Sequence, residues 1–297
     1  MDWRVQALRL RKIRARLRCQ SRCLSADGFR RSAPPSRQFY RAPRPRAEHH
    51  AQPSCARRAS PAAYRTCRGG VSNPAPEPLP ARDCPLCPRL VAYREAQQRF
   101  HPHWFNGPVP PFGDSQAELL IVGLAPGLKG ANRTGRPFTG DHAGGLLYDT
   151  LGKFGFAHGI YDARPDDGLE LRRVRITNTV RCVPPQNKPA PGEIATCRTF
   201  LAAEIAALPR LRAILTLGII AHQSVLAALG LRPGLFGFAH GRLHALPSGL
   251  LLVDSYHCSR LNTNTGKLSV TMFESVFAAL TSWLELSEGN ETLAAAS

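Results

Sequence analysis

Apolar positions along the chain follow two rhythms. Four short runs are almost continuously apolar and end in turn residues: 118–123 (ELLIVG), 174–178 (VRITN), 213–218 (AILTLG) and 250–255 (LLLVDS). Runs of this length, closed by Gly, Asn or Ser, read as strands buried on both faces. Five longer stretches, 90–100, 144–154, 192–208, 219–229 and 270–286, carry helical patterns. Strands alternating with helices imply βαβ units, hence an α/β fold with a mostly parallel sheet and helices on both faces.

In such sheets ligands bind beyond the carboxyl ends of the strands. Every chemically unusual segment lies there. The first strand runs into a Gly/Pro stretch, GLAPGLKGANRTGRPFTGD, from Gly123 to Asp141. The second runs into Asn178, Cys182 and PPQNKP at 184–189, and the fourth into YHCSRLN at 256–262. This convergence predicts one site at one edge of the sheet.

Cys84 and Cys87 form a Cys-x2-Cys pair, and Cys182 and Cys197 follow about a hundred residues later. Four thiolates suit a tetrahedral zinc site or an iron–sulfur cluster. The fifteen-residue gap of the second pair leans towards a cluster, since zinc sites usually show two close pairs. The plainer reading is that some of these are buried, unligated cysteines. Cys19, Cys23, Cys55, Cys67 and Cys258 receive no role.

The loop Gly123–Gly130 has the glycines and proline that let backbone approach a ligand closely. It lacks the Lys-Ser/Thr ending of a P-loop and the spacing of a dinucleotide fingerprint. A tight strand–helix turn would look the same. Phe138 is core filler or, beside Asp141, a base-stacking ring. His257, directly after a strand, is a structural histidine or part of a polar site with Ser259, Arg260 and Asn262. Asn178 and Asn187 are turn residues or amides able to read a pyrimidine edge, because an amide both donates and accepts.

Charge changes the picture at one end only. The chain has 297 residues and a formal net charge of +18. Residues 1–80 hold 18 basic and 4 acidic residues, or +14; the rest holds 39−18 = 21 basic and 21−4 = 17 acidic, or +4. The first 80 residues are rich in Arg, Ser, Ala and Pro and read as a disordered basic tail. Three accounts of it compete: a DNA-holding arm, a transit-like segment, or a mis-called start whose true beginning lies nearer residue 70. The use of 34 Arg against 5 Lys fits GC-rich coding. Residues 82–287 are long enough for one domain with a real core. No apolar run reaches the roughly 18–20 residues of a membrane span, and no apolar stretch follows the first charges as in a secretory signal. Thiol-rich composition without such a signal points to a reducing compartment.

Taken together, these segments resemble the uracil-DNA glycosylase superfamily, most closely its family 5, the type b iron–sulfur enzymes. The resemblance rests on Gly123–Gly127, on NRTGRPFTGD from Asn132 to Asp141, on VRCVPPQNKP from Val180 to Pro189, and on SYHCSRLN from Ser255 to Asn262. It covers residues 82–285 and none of the tail. It implies a three-layer α/β/α sandwich on a four-stranded parallel sheet. It also implies a DNA-repair glycosylase that hydrolyses the N-glycosidic bond of uracil, and of other deaminated bases, leaving an abasic site. Cys84, Cys87, Cys182 and Cys197 fall where that family holds a 4Fe–4S cluster. Asp141 matches the catalytic carboxylate, and Asn187 and His257 match the base-recognising amide and histidine. Asn178 matches the pyrimidine-reading amide of family 4, and Phe138 the stacking aromatic. Gly123 and Ala125 lie in the motif that meets the substrate, and Leu124 and Ala125 lack the polar water-activating side chain of other families.

On this reading Leu261 wedges into the DNA stack, Arg260 holds a phosphate and Lys188 adds a basic contact. The expected partner is DNA containing uracil or deaminated bases, with no membrane, and the chain is expected to act as a monomer in the bacterial cytoplasm near the nucleoid. The competing class is a non-catalytic iron–sulfur or zinc module for nucleic-acid binding or redox work, which would have no use for Asp141 or His257. A different hydrolase on the same sheet rests on fold analogy alone.

Overall fold

The computed structural model describes residues 79–294, with side chains from 79 to 285. The expectation for residues 1–80 therefore falls almost wholly outside the described residues.

The helices are α1 (Pro88–Phe100), α2 (Ala131–Thr134), α3 (His142–Lys153), α4 (Pro191–Ala207), α5 (Ile219–Ala228), α6 (Arg260–Asn264) and α7 (Val270–Ala294). The strands are β1 (Phe112–Gly113), β2 (Leu119–Gly123), β3 (Ala157–His158), β4 (Glu170–Leu171), β5 (Val174–Asn178), β6 (Ala213–Leu217), β7 (Leu243–Ala245) and β8 (Leu251–Ser255). The four apolar runs become β2, β5, β6 and β8, adjacent and parallel in the order β5-β2-β6-β8. The sheet has six strands rather than four, because β1 and β7 add antiparallel edges. These are two and three residues long, too short for an alternation to be visible in sequence. β3 and β4 pair separately.

Alternation along the strands divides the core. Leu119 and Ile121 of β2 face one layer, with Leu147 and Leu151 of α3 and Phe273, Phe277 and Trp283 of α7. Leu120 and Val122 face the other, with Leu201 and Ile205 of α4 and Val225 of α5. β2, β6 and β8 are therefore wholly buried, which is why each reads as a continuous apolar run, while β5 leaves Arg175 half-buried. A third, smaller apolar group, Leu90, Val180 and Cys197 with Ala125 and Phe200 against it, lies outside both layers.

Strand order sets the site. β2 comes first in the parallel set, β5 lies on one side of it and β6 on the other. The chain passes from β2 out to β5 and then crosses back past β2 to β6, so the strand order reverses here, and a crevice opens at the carboxyl ends of strands at such a point.

Candidate functional site

β2 and β5 remain paired past their ends: Thr179 N donates to Gly123 O (2.9 Å) and Val180 N to Leu124 O (2.9 Å). Gly123 stands opposite Asn178 in the register. A Cβ on Gly123 would sit 2.6 Å from Phe138 Cζ and would also meet Asn178 Oδ1. Glycine is required here so that ring and amide can share the strand end.

Phe138 is held in the left-handed region at φ 53°, a conformation that bulky residues avoid. Its neighbours enforce it. Tyr148 Oη donates to Pro137 O (2.7 Å) and Tyr161 Oη to Phe138 O (3.2 Å). The buried Arg136 bonds Thr139 Oγ1 (2.7 Å), pairs with Asp167 and lies over the Phe112, Tyr148 and Tyr161 rings. The Phe138 ring, 6% exposed, stacks at 5.7 Å and 28° on the His257 imidazole.

Asp141 is the N-cap of α3, accepting from Ala143 N (3.2 Å). Its carboxylate lies over the backbone of the Gly-rich loop: a Cβ on Gly127 would sit 3.0 Å from Asp141 Oδ2, and one on Gly130 2.8 Å from Asp141 Cγ. Burial raises the Asp141 pKa above the ordinary carboxylate value, against the amides of Gly144 and Ala143 that favour the charge.

His257 follows β8 and its carbonyl accepts from Asn262 Nδ2 (2.8 Å). Its ring is half-buried by surface area but tightly enclosed by atoms, and that enclosure lowers its pKa to about 4. The imidazole is therefore neutral at pH 7. His257 Nδ1 and Asn178 Oδ1 are buried with no hydrogen-bond partner in the protein. Two orphaned polar atoms beside one ring are the signature of a site built for a ligand.

A cleft of about 580 Å³ brings these groups together. Ala125, Phe138, Asp141, Asn178, Asn187, His257, Arg260 and Leu261 all line it. Asn187 is exposed on the turn Pro185–Asn187 at φ 57°. Gly123 is not among the lining residues but abuts two of them, Phe138 and Asn178. Lys188, next to Asn187, is exposed but is not among the lining residues. Leu261, on α6, is 71% exposed. His142, also in the lining, contacts Thr263 Oγ1 of α6 through Nε2 (3.1 Å).

Cys84, Cys87, Cys182 and Cys197 line a second cavity, walled by Leu86, Leu90, Val91, Val180 and Phe200. Cys197 sits in the second turn of α4. Among the described residues, the only trio of metal-ligating atoms drawn within 4.8 Å of one another is His222, His244 and Asp254. Two donors face the sulfurs: Arg94 Nη1 to Cys182 Sγ (3.6 Å) and Arg181 N to Cys197 Sγ (3.4 Å). Cys258 lies elsewhere, in the main core, and burial pushes its thiol up to about 12.

The His222–His244–Asp254 trio is internally satisfied. Asp254 Oδ1 bonds His222 Nδ1 (2.7 Å) and Thr216 Oγ1 (2.8 Å), and Oδ2 bonds His244 Nε2 (3.0 Å). His222 Nε2 faces Phe236 O (2.8 Å). No sequence signal marks this network, the Tyr148–Tyr161 clamp or Arg94, because each joins residues remote in the chain.

A model of the Uracil DNA glycosylase superfamily matches residues 110–281. The chain is 46% identical over 196 residues to a type-5 uracil-DNA glycosylase of Thermus thermophilus, spanning 64% of this chain and 89% of that protein. It is 42% identical over 192 residues to a type-5 uracil-DNA glycosylase of Pyrobaculum aerophilum (63% and 83%), and 41% over 206 residues to one of Mycobacterium tuberculosis (65% and 75%). Cleft, fold and matched sequence coincide over the same residues, and the chain belongs to the uracil-DNA glycosylase superfamily.

Proposed function

We propose that this chain is a uracil-DNA glycosylase of the type-5 kind, which hydrolyses the N-glycosidic bond of uracil, and of other deaminated bases, in DNA and leaves an abasic site. The observation that carries this reading is the cleft itself, where an aromatic ring, an unpartnered amide oxygen, a neutral imidazole and a half-buried carboxylate meet at the switch point of the sheet.

Flipping the nucleotide costs a few kcal/mol of stacking and pairing. Leu261, apolar and exposed at the rim, fills the vacated space. Arg260 and Lys188 hold flanking phosphates. The extruded uracil stacks on Phe138, and Asn178 accepts from N3–H through its free Oδ1 while its amide N–H₂ donates to O4. Cytosine presents the opposite pattern at both atoms. Asn187 closes over the base edge from the mouth, and the backbone at Gly123 and Ala125 admits it.

As the bond breaks, its electron pair passes to uracil N1 and positive charge grows on the sugar. The neutral His257 donates a hydrogen bond to uracil O2, where negative charge collects. Asp141 stabilises the oxocarbenium-like sugar and takes a proton from the water that adds to C1′. The released uracil anion is protonated from solvent. Leu124 and Ala125 offer no polar side chain, so Asp141 is the carboxylate of the site.

The thiols of Cys84, Cys87, Cys182 and Cys197 hold a 4Fe–4S cluster, which when bound cross-links the start of the domain to its middle. The small apolar group around Cys197 includes Ala125, so this corner backs the wall of the cleft. Among the described residues no helix is long and apolar enough to cross a membrane. With DNA as its substrate, the enzyme on this reading acts as a monomer beside the nucleoid in a bacterial cytoplasm.

The test is single-turnover incubation with a labelled duplex carrying one U opposite G, followed by alkali. Strand cleavage at U, absent at T and lost in Asp141→Asn, is the expected result. No cleavage at uracil or hypoxanthine by folded, iron-loaded protein would favour the non-catalytic module instead.

A further inference from the structure

Arg94 presents an electrostatic problem that the excision chemistry does not solve. It lies on α1 and is 6% exposed. A guanidinium cannot shed its proton to escape burial, unlike a lysine or histidine. A buried cation therefore needs an anion beside it. Among the described residues no carboxylate pairs with Arg94. Its two partners are Cys182 Sγ, at 3.6 Å from Nη1, and the carbonyl of Cys84, at 3.4 Å from Nη2.

Arg181, which lines the cavity, is a second buried arginine beside a thiol. Arg181 is 1% exposed and its backbone N–H points at Cys197 Sγ. Its side chain pairs with Glu204, but Glu204 also serves Arg175, and Arg181 Nε and Nη1 have no partner. Apart from the Arg89–Glu193 pair, whose charges balance, two buried guanidiniums and one shared carboxylate thus adjoin the four thiols. A 4Fe–4S core bound by four thiolates is a dianion, and it supplies the charge that is missing.

We propose that Arg94 is the counter-cation and outer hydrogen-bond donor of the group bound by Cys84, Cys87, Cys182 and Cys197, and that it holds that group's reduction potential up. The inference rests on the cluster reading above. One-electron reduction adds negative charge to the cluster, and a fixed cation hydrogen-bonded to a ligand sulfur stabilises the reduced form more than the oxidised one. Arg94 does not reach the cleft, so this is a tuning role, not a catalytic one.

The experiment compares wild type, Arg94→Gln and Arg94→Lys by iron content, by midpoint potential in a mediator titration followed by electron paramagnetic resonance, and by the rate at which visible absorbance bleaches in air. Wild-type protein without iron would sink the cluster reading itself, before any variant is compared. Given iron in the wild type, Arg94→Gln should show a more negative potential and faster bleaching, while Arg94→Lys stays near wild type. A loaded Arg94→Gln with wild-type potential and bleaching would overturn the proposal. If Arg94→Gln folds but does not load iron, normal loading of Arg94→Lys supports the need for charge. Equal failure of both would show that shape matters and charge does not, and would also overturn it.

Discussion

At Asp141 stability and chemistry pull in opposite directions. Burial raises its pKa, so the folded state penalises the charged form at neutral pH. Asparagine is an equally good N-cap. Asp141→Asn should therefore leave the melting temperature unchanged or higher while lowering single-turnover excision by ~10²-fold or more. Calorimetry and kinetics on the same sample check both halves, and a variant that melts earlier would mean the carboxylate's role is structural.

His257 carries the complementary pH argument. Its folded pKa of about 4 lies below the ordinary 6.5, so the unfolded chain binds a proton that the folded one refuses. Stability should fall as pH drops from 6.5 towards 4, and His257→Gln should flatten that part of the melting curve. Excision should show no histidine limb above about pH 5, because a ring already neutral there has nothing further to lose. A rate that falls with a midpoint near 6.5 and loses that limb in His257→Gln would refute a neutral donor.

Among the elements, β8 shows how the loop that carries His257 is anchored from below. Asp254, the second-last residue of β8, accepts from Thr216 opposite it on β6 and bonds His222 of α5 and His244 of β7. His222 faces a carbonyl and a carboxylate, and only an imidazolium donates to both. Its pKa is raised and that of Asp254 lowered, in each case against desolvation, by their mutual hydrogen bond and charge. Removing one partner of a buried pair costs about 3–5 kcal/mol, and Asp254→Ala should lose that much by denaturant unfolding. The His222 contribution is complete below pH 6.5 and disappears as pH rises through its elevated folded value. The stability gap between wild type and His222→Gln should therefore narrow on the alkaline side.

This layer was illegible in sequence, and the reason is physical. The continuous apolar runs of β2, β5, β6 and β8 announce strands buried on both sides. Phe138, Asp141, Asn178 and His257 stand at strand or loop ends, where a parallel sheet gathers its ligands. Asp254 and His222 are 32 residues apart, and Arg94 and Cys182 are 88 apart. Pairing over such separations leaves no periodicity to read. Nor does a positive φ at Phe138 show in composition, since the residue itself argues against it.

On the scale of the whole molecule, two large cores flank the sheet and a third, small one surrounds the cysteines. A corner with so few apolar contacts opens most easily. Stripping iron with a chelator should raise hydrogen exchange in α1 and around Cys182 and leave β2, β6 and β8 protected. Exchange that rises equally across the sheet would mean that the cluster and the main cores unfold as one unit.

The short antiparallel borders have a consequence for life in a crowded cell. A row of unpaired backbone groups at a sheet margin is a template for another chain. Here the margin on one side is β1, two residues long, preceded by Pro108, Pro110 and Pro111, which have no N–H to offer. On the other it is the three-residue β7, flanked by Arg242 and Pro247. The four long parallel strands thereby lie behind margins too short and too proline-rich or charged to offer a ready template, which disfavours edge-to-edge pairing between copies.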